Sequence, residues 1–384
     1  LRLAYSSTAT LATFVAMLAV VTTACATSGG GADKKEVVTL EPLKMVAVKN
    51  ADGTQTVEAL DPRDLFHEAG RAFEDGDLTA AARKYGLIVE RFPKSRYATV
   101  ARFNAGVALQ KQGAYAKAIP MFQGVVDRTK GSKDAQDALM HLATCRDKLR
   151  DHKAVVALMN RVLKPEYRDI APVARLEAYS RRGKARHELR QLALAERDYK
   201  AALRLFKRHM ANKILRRSYF VSLAQFRIGE IYRELFGTIR FRLPLERMAR
   251  DLEDKSNYFL KTQAAYLRTL RYSHPDLAVA AGFRLGAIYE QFYDDMMGAE
   301  VPNDLTKEEV EIYYEELRKK IRPLITKAID IYERNIRMAQ RLGRSKADWV
   351  RKSRASLARL KEVLRQNSVR NAERQLGKKT NGDQ

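Results

Sequence analysis

The sequence predicts an all-α chain: a helical solenoid of stacked helix pairs, with a small N-terminal β-hairpin before it and a helical C-terminal region after it. Three observations carry this expectation. From Asp64 onward the apolar residues recur at helical rather than strand spacing. Gly and Pro are few, 20 and 10 in 384 residues, which leaves room for long uninterrupted helices. And one set of small and aromatic residues returns at a fixed interval of 37 positions, the mark of a repeat architecture.

Residues 1–24 are read first. Arg2 is the only charge before residue 33, and Leu11 to Val21 is almost wholly apolar. A positive start, a short apolar core and small residues after it have the layout of a secretory signal. The apolar core is shorter than the roughly 20 residues a bilayer span needs. It closes on Val21-Thr22-Thr23-Ala24-Cys25, which resembles the lipobox of bacterial lipoprotein signal peptides. That resemblance implies that the mature chain begins at Cys25, that its thiol carries diacylglycerol, and that its amine is acylated. Ala26 in place of Asp implies, by the same family rule, an outer-membrane anchor on the periplasmic face. Residues 25–42 then form a lipidated flexible tether, small and polar through Ala26-Thr27-Ser28-Gly29-Gly30-Gly31-Ala32.

Residues 43–60 read as a β-hairpin. Apolar and polar residues alternate through Leu43-Lys44-Met45-Val46-Ala47-Val48-Lys49 and again through Thr54-Gln55-Thr56-Val57-Glu58-Ala59-Leu60, on either side of an Asn/Asp/Gly turn. An isolated hairpin is marginal, so it should dock on the helices.

Residues 64–210 hold the repeats. Ala69, Gly76, Ala81 and Tyr85 align with Gly106, Gly113, Ala118 and Phe122. Ala143, Arg150, Val155 and Met159 make a third copy, and Gly183, Arg190, Ala195 and Tyr199 a fourth, less strictly spaced. This pattern resembles the tetratricopeptide repeat, a pair of antiparallel helices of about 34 residues. Each slot has a physical task. The small residue of the first helix lets the second approach. Gly76-Asp77-Leu78 and Gly113-Ala114-Tyr115 break the helix and seat an apolar residue in the turn. The alanine of the second helix packs back, and the aromatic one turn later fills the space toward the next pair. Pro93 stops a second helix, because it cannot continue the ladder.

Residues 211–300 read as further repeat-like pairs, since Phe226-Arg227-Ile228-Gly229-Glu230-Ile231-Tyr232 and Phe283-Arg284-Leu285-Gly286-Ala287-Ile288-Tyr289 echo the first helix. Residues 294–316 are acidic, and Asp294, Asp295, Glu300 and Asp304 are expected to lie in a solvated loop ahead of the next helix. Residues 301–366 are C-terminal helices: Asp304 or Thr306 caps a start followed by acidic first-turn residues, and Pro323 should kink or break the helix that runs to about Gly343. A last helix runs from about Ser345 to Gln366, and 367–384 is expected to be a disordered tail.

The formal charge of +25 is uneven. Residues 140–222 carry 21 Lys and Arg against 8 Asp and Glu, a balance of +13, and residues 317–384 carry 20 against 6, a balance of +14. Such blocks can bind nucleic acid. Export argues against it, and anionic headgroups or acidic protein surfaces suit an envelope protein better. Motifs of the HExxH, GxSxG, GxGxxG and Walker A type are absent from the sequence. Its six histidines are scattered, and its two cysteines make neither a disulfide framework nor a metal spacing, so no enzyme activity, cofactor or metal is expected. His141 and Cys145, at i and i+4, are too few to hold an ion.

What remains is binding of protein partners along the helical groove. The exposed first-helix positions expected to line it are Arg102, Asn104, Lys111, His141, Arg182 and Arg186, with acidic peptides or envelope proteins as partners. The whole layout resembles tetratricopeptide lipoproteins of the cell envelope. One such family is the myxobacterial gliding-motility (Glt) lipoprotein of a trans-envelope complex, matched by the Arg-rich composition and by the long helical end with its Leu-Thr-x-Glu-Glu start, Leu305 to Glu309. The other is the barrel-assembly lipoprotein, matched by Pro93-Lys94-Ser95. A periplasmic glycan or peptidoglycan binder is a third reading. It needs exposed aromatics in the groove, whereas Tyr85, Tyr199, Tyr232 and Tyr289 fall at core phases.

Overall fold

The computed structural model describes residues 43–49, 55–167, 170–272 and 274–380. The expected signal peptide and tether (1–24 and 25–42, with Cys25) and the hairpin turn at 50–53 lie outside the described residues.

The hairpin forms as expected. Lys44–Lys49 (β1) pairs antiparallel with Gln55–Leu60 (β2), Lys44 opposite Leu60 and Lys49 opposite Gln55. It docks: Leu60 packs on the first apolar cluster, and the Lys44 ammonium lies 5.6 Å from the Phe92 ring centroid.

Twelve helices then stack as antiparallel pairs, with one short turn of helix between the fourth and fifth. Pro62–Glu74 (α1) pairs with Leu78–Arg91 (α2), Ala98–Lys111 (α3) with Tyr115–Arg128 (α4), and Lys133–Lys148 (α5) with His152–Val162 (α6). Pro172–Glu188 (α7) pairs with Leu192–Arg208 (α8), and the short Lys213–Arg216 (α9) follows. Tyr219–Thr238 (α10) pairs with Leu245–Leu270 (α11), and Pro275–Met297 (α12) with Lys307–Arg341 (α13). Asp348–Thr380 (α14) lies against both helices of the last pair. The architecture is a tetratricopeptide-like helical solenoid with a small two-stranded sheet.

Each predicted slot does what its chemistry suggests. A Cβ built at Gly106 would sit 2.8 Å from the Phe122 ring, and one at Gly183 would sit 2.7 Å from the Tyr199 ring, so only glycine admits these aromatics. Ala69 shares a core with Tyr85, and Ala143 with Met159. Ala81, Ala118 and Ala195 are fully buried. Full burial of one such aromatic contributes roughly 1.5–3 kcal/mol, repeated in each pair. The turns share one backbone solution, because residues 76, 113, 150 and 190 all take a left-handed φ. At Gly76 and Gly113 that costs nothing; at Arg150 (φ +58) and Arg190 (φ +61) it is strained. Asp77 and Asp151 cap the helices that follow, accepting from the amides of Ala80 and Ala154.

Three expectations are corrected, and a fourth is narrowed to one of its two alternatives. The acidic loop is shorter than expected: Asp294 and Asp295 belong to α12, and Glu300 and Asp304 fall between α12 and α13. Their charges are spent on structure, Asp295 on Arg240 and Lys255, Asp294 on Arg359, and Glu300 on the Leu243 amide. Pro323 does not divide the C-terminal helix. It lies on the exposed side of α13, where one missing amide faces solvent, while Ile321, Ile325, Ala328 and Tyr332 hold the other side in the core. The start of α13 is set by Thr306, which forms a capping box with Glu309. Finally, α14 starts at Asp348 and continues past 366 to Thr380, a stretch with no proline to stop it.

Candidate partner-binding face

Successive first helices (α1, α3, α5, α7, α10) touch one another along one side of the stack, and a row of side-chain contacts marks that side. The Lys111 ammonium stands 4.4 Å from the Phe73 ring centroid. His141 Nδ1 lies 2.6 Å from Gln110 Oε1. Arg181 donates to Thr144 Oγ1 at 2.8 Å, and Lys184 to Asp147 Oδ2 at 2.6 Å. Glu234 takes His187 at 2.9 Å and Arg190 at 2.7 Å. The partners are 31 to 47 positions apart, close to the repeat interval, so repetition of sequence becomes a ladder in space.

Not every predicted groove residue stands on that ladder. Lys111 is exposed and available. His141 is largely enclosed: its ring stacks on Phe122 (4.9 Å, 15° between planes) and meets the edge of Phe103 at 5.2 Å. Burial, then the neighbouring Arg181 charge, push its pKa down to about 4, so it is a neutral packing residue at ordinary pH. Arg182 and Arg186 are not open either. Both reach back to Asp198 on α8, at 2.6 and 2.8 Å, and Arg182 also donates to Asn160 Oδ1 at 2.8 Å. Asp198 is 3% exposed, and a buried carboxylate left unpaired is costly, so these guanidiniums are pinned. Asn104 is hydrogen-bonded to Tyr85, and Arg102 packs over Gly124, where a Cβ would stand 2.6 Å from Nη1. Five of the six residues from the helical-wheel reading thus stand between helices rather than in the open, and Lys111 alone is exposed.

Sequence reasoning missed several structural residues. Tyr266 and Tyr332 lie over Gly229 and Gly286 as Phe122 lies over Gly106, which makes the two later segments a fifth and a sixth pair. The signal was present: Thr262 and Ala328 stand four residues before these tyrosines, the spacing of Ala118 and Phe122. Lys255 was also missed. Its side chain is 0% exposed. Its ammonium donates to the Phe236 carbonyl (2.9 Å) and the Ile239 carbonyl (2.8 Å), and stands 2.8 Å from Asp295 Oδ2. Burial pushes its pKa down, and Asp295 pushes it back up. An active-site lysine needs a free donor or lone pair; this one has three acceptors for three protons and closes the C-terminal end of α10.

Among the described residues no group of three or more His, Cys, Asp or Glu is placed to hold a metal ion, and no helix is long and apolar enough to cross a membrane. Cys145 is buried and unpaired, and burial pushes its thiol up to about 11.

No family model matches the chain, and no curated protein matches it in sequence. Solved structures do match. One is described as a MamA RS-1 ArsTM double mutant: 16% identity, covering 54% of this chain and 95% of that one, with a TM-score of 0.37. A tetratricopeptide repeat protein from Parabacteroides merdae is 14% identical over 76% of this chain and 98% of its own, with a TM-score of 0.37. The apo form of RapI is 9% identical over 79% and 100%, with a TM-score of 0.43. Likeness of this depth transfers no ligand or partner.

Proposed function

We propose that this chain is a non-enzymatic scaffold of the cell envelope, held by lipid at Cys25 on the periplasmic face of the outer membrane, that binds protein partners along its first-helix face. The observation that carries the reading is the ladder from Phe73 and Lys111 to Glu234, a continuous surface repeated pair by pair. Its charges are largely paired among themselves, so selectivity there rests on shape and on the open Lys111 end. Envelope proteins with acidic surfaces or peptides are the partners, in a trans-envelope complex of the gliding-motility kind. Barrel assembly is the second reading, favoured by the Pro93-Lys94-Ser95 link, where the Ser95 hydroxyl accepts from the Tyr97 amide and shapes the entry to α3.

The test is site-specific photo-crosslinking in cells. A crosslinker at Lys111 or Gln110 should capture protein partners, and one at Arg204 on α8 should not. Capture at Arg204 alone would overturn the assignment of the face. Recovery of motility proteins supports the first reading and recovery of the barrel-assembly core the second. For the anchor, Cys25→Ala should move the protein from membranes into the soluble fraction once salt is raised. Continued pelleting after a high-salt wash would exclude lipid at that residue.

A further inference from the structure

The outward side of α13 is strongly cationic, with Glu316 and Asp330 as its carboxylates. Opposite the core residues Ile321, Ile325, Ala328 and Tyr332 stand Lys319, Lys320, Arg322, Lys327, Arg334, Arg337 and Arg341, all exposed. Lys320, Lys327, Arg334 and Arg341 are seven residues apart each time, a spacing that keeps them on one face with a drift of about 20° per step. From Lys319 to Arg341 the row spans about 33 Å at about 1.5 Å per residue.

The acidic groups facing this row are few and engaged. Glu315 and Glu316 pair with Lys319, Asp330 with Arg334, and Glu333 reaches across to Lys361 of α14. Among the described residues, Lys320, Arg322, Lys327, Arg337 and Arg341 form no ion pair. A shallow notch beside Pro323 is lined by Lys319, Arg322, Thr326, Lys327 and Asp330, three cations to one carboxylate, and that carboxylate is paired with Arg334.

We infer that this face of α13 lies against the headgroups of an anionic lipid bilayer, as a membrane contact separate from any lipid at Cys25. A protein partner fits less well. Protein interfaces are built around an apolar centre from which charge, lysine above all, is depleted, and between its cations this row has only Pro323, Thr326 and the paired Asp330. A plane of negative headgroups needs no apolar anchor, can meet every cation of a straight rod at once, and rewards each with its own increment of attraction. The inference does not depend on the partner face proposed above, which lies on other helices.

The test uses the full chain carrying Cys25→Ala, so that no acyl chain contributes, and vesicles of phosphatidylcholine alone or with about 30 mol% phosphatidylglycerol. The chain should sediment with the anionic vesicles, stay in solution with the neutral ones, and be released by raising salt well above about 0.1 M. Lys320→Gln, Lys327→Gln, Arg337→Gln and Arg341→Gln combined should lower partitioning at least tenfold. These side chains are exposed, and an unchanged thermal melt will show that the fold is intact. A control with the same loss of charge elsewhere, Lys207→Gln, Arg208→Gln, Arg216→Gln and Arg217→Gln, should retain most of the binding. Equal losses in the two variants would reduce the effect to net charge and overturn the assignment to α13. So would equal binding to neutral vesicles. Absence of vesicle binding together with retention on immobilised poly-glutamate would assign the row to an acidic protein instead.

Discussion

Gly229 lies directly beneath the ring of Tyr266: a Cβ at residue 229 would stand 2.6 Å from ring carbon Cε1, closer than two carbons can approach. The two residues are 37 positions apart because α11 is long, yet they make the same contact as Gly106 and Phe122, which are only 16 apart. Packing rather than spacing therefore defines the repeat. Gly229→Ala should push Tyr266 off its seat and destabilise the fold by about 1–3 kcal/mol. Gly86 is also inside a helix, but a Cβ there meets nothing within 4 Å. Gly86→Ala should instead stabilise by about 0.5–1 kcal/mol through helix propensity. Chemical denaturation of the two variants checks both signs at once; destabilisation by both would count against the packing contact as the cause.

Tyr199 and Tyr266 occupy matching slots with different hydroxyl environments. The Tyr266 hydroxyl donates to Glu230 at 2.5 Å, and Glu230 is also held by Arg233 and Arg284. The Tyr199 hydroxyl is buried with no hydrogen-bond partner. Burial raises the pKa of both phenols. An orphaned buried hydroxyl costs free energy, so Tyr199→Phe should be neutral or stabilising by about 1 kcal/mol, whereas Tyr266→Phe should lose about 1.5–3 kcal/mol. Thermal melts of the two variants decide it, and a substantial loss for Tyr199→Phe would reveal a partner for that hydroxyl.

Much of the solenoid is legible in the sequence, because a strict repeat writes the same packing problem several times. Ala81, Ala118 and Ala195 and their aromatics could be placed from spacing alone. What spacing could not show is where each charge goes. Arg182 and Arg186 read as open on a helical wheel because the wheel knows one helix, while Asp198 comes from the next. Asp294 and Asp295 read as solvated for the same reason: Lys255, Arg240 and Arg359, which hold their carboxylates, are remote in sequence. The aromatics of the fifth and sixth pairs, Tyr266 and Tyr332, escaped because α11 and α13 are longer than the earlier second helices, which moves the aromatic out of phase without moving it in space.

The four turn positions offer a cleaner stability test than the core. Arg150 holds φ +58, and among the described residues its guanidinium forms no ion pair. Arg190 holds φ +61, but its guanidinium is 2.7 Å from Glu234. Arg150→Gly should stabilise by about 0.5–1 kcal/mol, since a left-handed conformation favours glycine by about that much once its greater unfolded-state entropy is subtracted. Arg190→Gly should gain less, because it also gives up the pair with Glu234. Equal gains at the two sites would mean that the exposed Arg190 pair contributes nothing, which is common for surface ion pairs.

His141 makes stability depend on pH in a defined window. Its pKa in the fold is depressed to about 4, from an ordinary value of 6.5. Below 6.5 the unfolded chain therefore takes up a proton that the folded chain refuses, and stability falls as pH drops from 6.5 toward 4. By pH 5 the loss from this residue is about 2 kcal/mol. His274, whose ring accepts the Leu277 amide at the start of α12, is also held down by burial and adds in the same direction. Glu230 is held below its usual value, so its own contribution is lost only at still lower pH, below about 4.5. Melting temperature measured from pH 7 to 5 should therefore fall, and His141→Gln should flatten most of that slope while starting from a lower value at pH 7, because the stack on Phe122 is lost. A slope unchanged by the substitution would mean that His141 is more open to water than its ring contacts imply.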